Sequence, residues 1–205
     1  MAASDRGVAM VLLNSNPRPY PALPPMRELV SRGMVIPELI AWGSAPEAMR
    51  GVDALPLQRL APFRLLAIDL DEASSPRALE AVWDRRALVV RSVASMPFCR
   101  VSSGLGDDAV AARIPLFERM LGETATPDRQ DEFHRHHWPE RRHISVLMDR
   151  EDARTVSKTT VDVVRESGDS AAGVAVNMHY QPLAEACAGT GRAGGQAVVS
   201  EPRRV

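Results

Sequence analysis

The stretch Gly7–Pro19, GVAMVLLNSNPRP, decides how this chain is read. Val8 to Leu13 is an unbroken apolar run closed by Asn14 and a proline-rich turn, the pattern of a buried strand. Such a strand needs ladder partners on both edges. The preceding residues, MAASDR, are read as too few for a strand and a turn of their own. One neighbour is therefore expected from far along the chain, or not at all.

The 205 residues, 22.4 kDa, give room for one sizeable core, and residues 1–187 are expected to form a single domain. Lys plus Arg at 25 nearly balances Asp plus Glu at 26, so no basic excess points to nucleic acid or to an acidic membrane surface. Cys99 and Cys187 lie far apart without metal-type or redox-type spacing, which suits a reducing compartment. A cytoplasmic location is expected. No run reaches the roughly 18 apolar residues of a membrane span, and the opening residues lack a signal-peptide pattern.

Outward from Asn14, NPRPYPALPP (Asn16–Pro25) holds five prolines and reads as loop. Ser31 is a fair helix cap, with an apolar stripe from Met34 to Trp42. Ser44 and Pro46 start a second helix through about Val52. PFRLLAIDL, Pro62–Leu70, is a strand apolar on both faces apart from Arg64, with a turn expected over Asp69–Ser75. RALEAVWDRRALVVRSV, Arg77–Val93, is read as a short helix to Trp83 and then a strand, with a strand pair the close alternative. Phe98–Asp108, FCRVSSGLGDD, looks like a strand entering a glycine loop, and the helix after it is interrupted at Pro115. Thr126-Pro127-Asp128 starts another helix, which should end before Pro139. From His143 onward HISVLMD, RTVSKTTVDVV and GVAVNMHY read as three strands of one meander. The glycine-rich end, residues 188–205, is expected to be disordered.

Three groups of residues could carry chemistry. His134, His136, His137 and His143 are four of the five histidines; on a helix His134 and His137 would share a face, and His143 could return from the next strand to a zinc ion. Arg135, Arg141 and Arg142 crowd that cluster, so a solvated basic helix end is the favoured reading, and neither a metal nor a cofactor is expected. SSGLGDD offers Ser102, Ser103 and a backbone nest, but turn chemistry is the simpler account, and no P-loop lysine accompanies it. Cys99 reads as a small buried hydrophobe. Asn14 stands where strand gives way to loop, so its amide could project towards a developing oxyanion, although on spacing alone an ordinary turn asparagine is the favoured reading.

AASDRGVAMVLLNSNPRP, the SRG at Ser31–Gly33, APFRLLAIDL, RVSSGLGDD before PLFERML, and HISVLMDREDARTVSKTTVDV follow one another at spacings that resemble the NRDE proteins, the family that includes Transport and Golgi organisation protein two. The likeness covers roughly residues 2–182. It implies an α+β fold of the N-terminal nucleophile hydrolase type, a four-layer αββα sandwich of mostly antiparallel sheets, here missing its first hairpin. In cysteine-type members the nucleophile follows the initiator methionine, its own amino group acts as the base, and an Asn-Arg-Asp-Glu motif comes next. This sequence has Ala2 in that place, no cysteine before Cys99, and no such motif. Asn14 resembles the oxyanion-hole asparagine of the related amidases, and Ser102–Ser103 falls where they carry a Thr-Asn or Ser-Asn pair.

The implied activity is hydrolysis of linear amides for a chain that starts upstream with cysteine; as it stands, the chain is expected to be inactive. The alternative, drawn from the trafficking role of eukaryotic members, is non-enzymatic binding of a small apolar ligand such as haem or a lipid. His134, His136, His137 or Cys99 would then be the iron ligands.

Overall fold

The computed structural model describes residues 1–71, 75–165 and 173–183. The expected tail at 188–205, Cys187 and most of the turn before Gly173 lie outside the described residues. Gly7–Pro19 does open on a strand, β2 (Ala9–Asn14), but its first neighbour corrects the sequence reading. Ala2–Ala3 forms β1, with Ala2 opposite Met10 and Ala3 opposite Ala9. The turn is short enough because Ser4 N–H donates to Val8 O at 2.9 Å, Gly7 N–H donates to Ser4 O at 3.1 Å, and Gly7 adopts φ +82°.

The other neighbour of β2 is β3 (Phe63–Leu70), which places Met10 opposite Ala67 and Asn14 opposite Phe63. β4 (Pro76–Trp83) and β5 (Leu88–Ser92) complete an antiparallel sheet in sequential order β1-β2-β3-β4-β5. Arg77–Trp83 is thus a strand rather than a short helix, the strand pair being the form adopted. The Asp84 carboxylate accepts the amides of Arg86 at 2.7 Å and Ala87 at 2.8 Å, closing a tight turn, and burial of Ala81 and Trp83 against the helices overrides the helical propensity of Ala-Leu-Glu-Ala. Asp69 belongs to β3 instead of the following turn.

One face of the sheet, with Met10, Phe63, Leu65, Ala67, Ala81 and Trp83, packs on two short helices to form the main core. They are α1 (Val35–Leu39) and α2 (Ala45–Gly51). Ser44 caps α2 by accepting from Glu47 N–H at 3.4 Å, and the buried Asp69 accepts from Ala45 N–H at 2.8 Å while pairing with Arg77. A second cluster joins α3 (Arg113–Leu121) to α4 (Pro127–Arg135) through Leu116, Phe117, Leu121 and Phe133. Pro115 does not interrupt α3. It sits in the first turn, where an N–H would have no helical partner.

The strand expected from Phe98 is extended chain outside any ladder, and His143 lies in a 3-10 segment, Pro139–Ile144, rather than a strand. Buried Ser145 explains the second correction. Its hydroxyl accepts from Trp138 N–H at 2.8 Å and donates to Arg141 O at 3.1 Å, while Arg113 takes the carbonyls of Ile144 and Ser145. Side chains thereby satisfy the backbone that a strand ladder would have used. β6 (Asp149–Arg150) and β7 (Ala153–Arg154) make a short hairpin. β8 (Ser157–Arg165) and β9 (Val174–Pro182) make a separate ribbon, so the expected single meander is two two-stranded units.

The ribbon sits against both halves of the molecule. Its Val163 and Val174 approach Gly7, where an added Cβ would lie 2.6 Å from Val174 Cγ1, and Arg165 donates to Asp71 O at 2.8 Å. From the opposite face Lys158 pairs with Asp131 of α4. The class is therefore α+β with antiparallel sheets. Among the described residues no helix is long and apolar enough to cross a membrane.

Candidate functional site

The end of β2 is built from three backbone-directed contacts. Ser15 N–H donates to Pro62 O at 3.2 Å, and the same carbonyl accepts from Arg32 Nη1 at 2.8 Å. Arg32 opens the 3-10 turn Arg32–Met34, which Ser31 caps by accepting from Gly33 N–H at 3.2 Å. Asn14 itself is exposed, opposite Phe63 in the ladder, and its side chain makes no hydrogen bond among the described residues. A turn asparagine ordinarily spends its amide on nearby backbone. The exposed Asn14 amide makes no such bond among the described residues.

Two residues on, Asn16 joins this strand end to the Ser102 loop. Its N–H donates to Asp107 Oδ2 at 2.9 Å, its carbonyl accepts from Asp107 N–H at 3.1 Å, and its Nδ2 lies 3.4 Å from Ser102 Oγ. Asp107 also accepts from Ser103 N–H at 3.2 Å, so the loop's own acid fills part of the backbone nest. Ser103 Oγ in turn accepts from Leu105 N–H at 3.1 Å. Arg18 folds across to the Leu105 carbonyl and lies against Gly106, which has φ +103° and where a Cβ would fall 2.7 Å from Arg18 Nε. Between the two loops is an open cavity of about 430 Å3, lined by Asn16, Arg18, Tyr20, Gly104 and Gly106 among others.

Behind the Ser102 loop stands a buried charge cluster. Glu80, 0% exposed, projects from the sheet face opposite the main core and accepts from Arg91 Nε at 2.8 Å and Arg100 Nε at 2.7 Å. Arg64 Nε adds an ion pair at 3.2 Å without hydrogen-bond geometry. Burial alone would raise the Glu80 carboxyl, but the hydrogen bonds from Arg100 and Arg91 and the charges of Arg100 and Arg64 outweigh it and hold the group below its ordinary value. Arg100 also donates to Cys99 O at 2.9 Å, which ties the chain entering Ser102 to the sheet.

Ser102 and Ser103 oxygens serve as acceptors for loop donors, and no histidine or lysine hydrogen-bonds to either among the described residues. Cys99 packs against the cluster that joins α3 to α4, and burial pushes its thiol up, away from the reactive thiolate.

The histidines do not assemble. α4 ends at Arg135, so His134 and His137 do not share a helical face, and His143 is exposed in the 3-10 segment. His134 is half-buried, and burial together with Lys158 pushes it below its ordinary value. His136 sets its ring edge-on to Trp138 at 5.2 Å with Nδ1 buried and unpartnered, whereas His137 lines a different cavity. Among the described residues no three His, Cys, Asp or Glu side chains are placed to hold a metal ion.

Asn16 and Glu80 were not singled out by the sequence reading, and Arg32 and Asp107 entered it only within the SRG and SSGLGDD motifs. The repeated asparagine of Asn-Ser-Asn and an acid inside an apolar strand were the available signals. Comparison of the chain with protein-family models and with curated proteins returns no match.

Proposed function

We propose that this chain is an NRDE-like domain of the N-terminal nucleophile hydrolase type that keeps the polar seat of an amidase site without a working nucleophile. In this reading it binds a small carbonyl-bearing ligand and does not hydrolyse amides. The observation that carries the reading is the reciprocal bonding of Asn16 with Asp107, together with its contact to Ser102. It brings together the strand end bearing Asn14 and the Ser102–Ser103 loop, the two places where the family's pattern puts its polar groups. The succession of contacts from α1 and α2 to the five-stranded sheet, then to the β8–β9 ribbon, then to α4 is also the order that an αββα sandwich requires.

In this reading Asn14 supplies the donor amide at the strand end, Arg32, bonded to the Pro62 carbonyl, adds positive charge to that end of the sheet, and Ser102 with Asn16 forms the polar loop next to it. Among the described residues no histidine or lysine hydrogen-bonds to Ser102 or Ser103 to take a proton from it. Two measurements test the reading. Incubation with N-acylglycines and phenoxyacetyl amides should release no amine, and any turnover that disappears in Asn14→Ala overturns the claim of inactivity. Chemical-shift titration with the same amides should show saturable binding that Asn14→Ala weakens about tenfold, the scale of one hydrogen bond lost. Binding indifferent to that substitution removes Asn14 from the seat.

A further inference from the structure

The five-stranded sheet closes on one side with β1, two residues long, and on the other with β5, five residues long. Asp84 N–H donates to Ala87 O at 3.4 Å and Val93 N–H to Ala78 O at 2.9 Å, so the alternation of an antiparallel ladder turns the backbone groups of Val89 and Arg91 towards β4. Leu88, Val90 and Ser92 therefore direct their N–H and C=O groups outward, where no strand takes them among the described residues. Neither a bulge nor a proline interrupts β5. Val89 and Val90 are 51% and 44% exposed, one on each face of the sheet. None of Asn14, Asn16, Ser102 or Ser103 belongs to this edge, so it is independent of the seat proposed above.

The edge is also basic. From Arg85 to Arg100 the chain carries four arginines and no acid, although its formal net charge is −1. Asp84, which precedes them, is occupied by the amides of Arg86 and Ala87. Arg85 turns to the carbonyls of Gln58 and Leu60, and Arg86 is exposed. Arg91, its side chain 58% exposed, shares Glu80 with Arg64 and Arg100. Glu80 is the only carboxylate paired with any of these three among the described residues, so a second carboxylate can reach Arg91 without displacing the first. A second copy of the chain would set two arginine-bearing edges against each other. Residues 184–205 hold three arginines and two glutamates, so they supply no acidic run. A separate acidic chain matches the edge in both backbone and charge.

We infer that β5 accepts an extended peptide, apolar and acidic at alternate positions, as an antiparallel sixth strand of the sheet. Peptide residues opposite Leu88, Val90 and Ser92 exchange backbone hydrogen bonds with them. They lie on the face where Leu88 already packs against the main core, so they are the apolar ones. Residues opposite Val89 and Arg91 lie on the face of Glu80, where a carboxylate meets Arg91.

The test is calorimetric titration of the full chain with the capped hexapeptide Val-Glu-Val-Glu-Val-Glu, its counterpart with lysine in place of glutamate, and two N-methylated forms of the first. The acidic peptide should bind one per chain, at least about tenfold tighter than the lysine peptide, with an affinity that falls as sodium chloride rises. Methylating the valine amides, which face β5, should cost at least about tenfold, whereas methylating the glutamate amides, which face away, should cost little. Val90→Pro removes an N–H that β4 does not use and should also weaken binding about tenfold. On binding, hydrogen exchange should slow at Leu88, Val90 and Ser92. Absence of saturable binding overturns the inference, as does equal affinity for the lysine peptide. Equal responses to the two methylations, or protection that arises elsewhere than at β5, would mean binding without strand addition at this edge and also overturn it. Self-association of the chain that Val90→Pro abolishes would assign the edge to a second copy instead. Should Val90→Pro fail to fold, the two methylated peptides on the unaltered chain still decide.

Discussion

Glu80 is the residue on which the far face of the sheet turns, since one fully buried carboxylate holds Arg64, Arg91 and Arg100 together. Replacement by Gln leaves three guanidiniums around an uncharged amide. Because Arg91 and parts of the other two reach water, the expected loss is about 2 kcal/mol, below the range for a fully buried pair. A urea titration at neutral pH measures it. The carboxyl is held below its ordinary value of 4.5, so its contribution is complete above that value and is lost as pH falls through the depressed folded value. Thermal melts should therefore show the wild-type chain losing stability more steeply in acid than Glu80→Gln. Parallel pH profiles for the two proteins would contradict the assignment. Gly106 makes a second prediction: with φ +103° and Arg18 where a Cβ would stand, Gly106→Ala should cost more than about 1 kcal/mol and loosen the Ser102 loop. Cys99, its thiol pushed up by burial, should react slowly with Ellman's reagent in a Cys187→Ser background and rapidly once unfolded. At this scale the sequence marked Asn14 as the exposed strand-end amide, but not Asn16. Asn16 acts through Asp107, 91 residues away, and spacing carries no record of such a partner.

Elements whose signals are local were legible in advance. The runs that became β2 and β3 are continuous and apolar, and Ser31, Ser44 and Thr126 each cap the turn or helix they were expected to start. Thr126 Oγ1 accepts from Arg129 N–H at 3.3 Å ahead of Pro127, so Thr126→Ala should cost about 1 kcal/mol and Thr126→Ser little, measurable by chemical unfolding. The elements that were misread owe their form to distant groups. β4 looked helical because Ala-Leu-Glu-Ala favours a helix, until pairing with β3 and burial beneath α2 decide otherwise. The segment after His143 had the pattern of a strand, yet Arg113, some thirty residues earlier, takes its carbonyls at 3.0 and 2.6 Å. Ser145→Ala should destabilise the chain by about 1–3 kcal/mol, since it strips the partner from the half-buried Trp138 amide, and hydrogen exchange at Trp138 would report the opening.

For the molecule as a whole, the α+β class with antiparallel pairing followed from the sequence, while the separation of β8–β9 from β6–β7 did not. The ribbon is positioned by approach rather than by a shared ladder, and Gly7 is one place where that approach is close. Gly7→Ala, strained at φ +82° and crowding Val174, should destabilise by more than about 1 kcal/mol, with shifts appearing in β8 and β9 as well as around β2. Changes confined to the first hairpin would show that the ribbon does not depend on this contact. The sequential order of the five-stranded sheet carries a consequence for biosynthesis. Each strand bonds only to its neighbours in the chain, so a polypeptide leaving the ribosome meets its partners in the order they are made. Protease protection of stalled nascent chains should reach the sheet as soon as Ser92 has cleared the exit tunnel. The face bearing Glu80 must then wait for Arg100, and the flank at Gly7 for Val163 and Val174, so the newborn sheet passes through synthesis with that side uncovered.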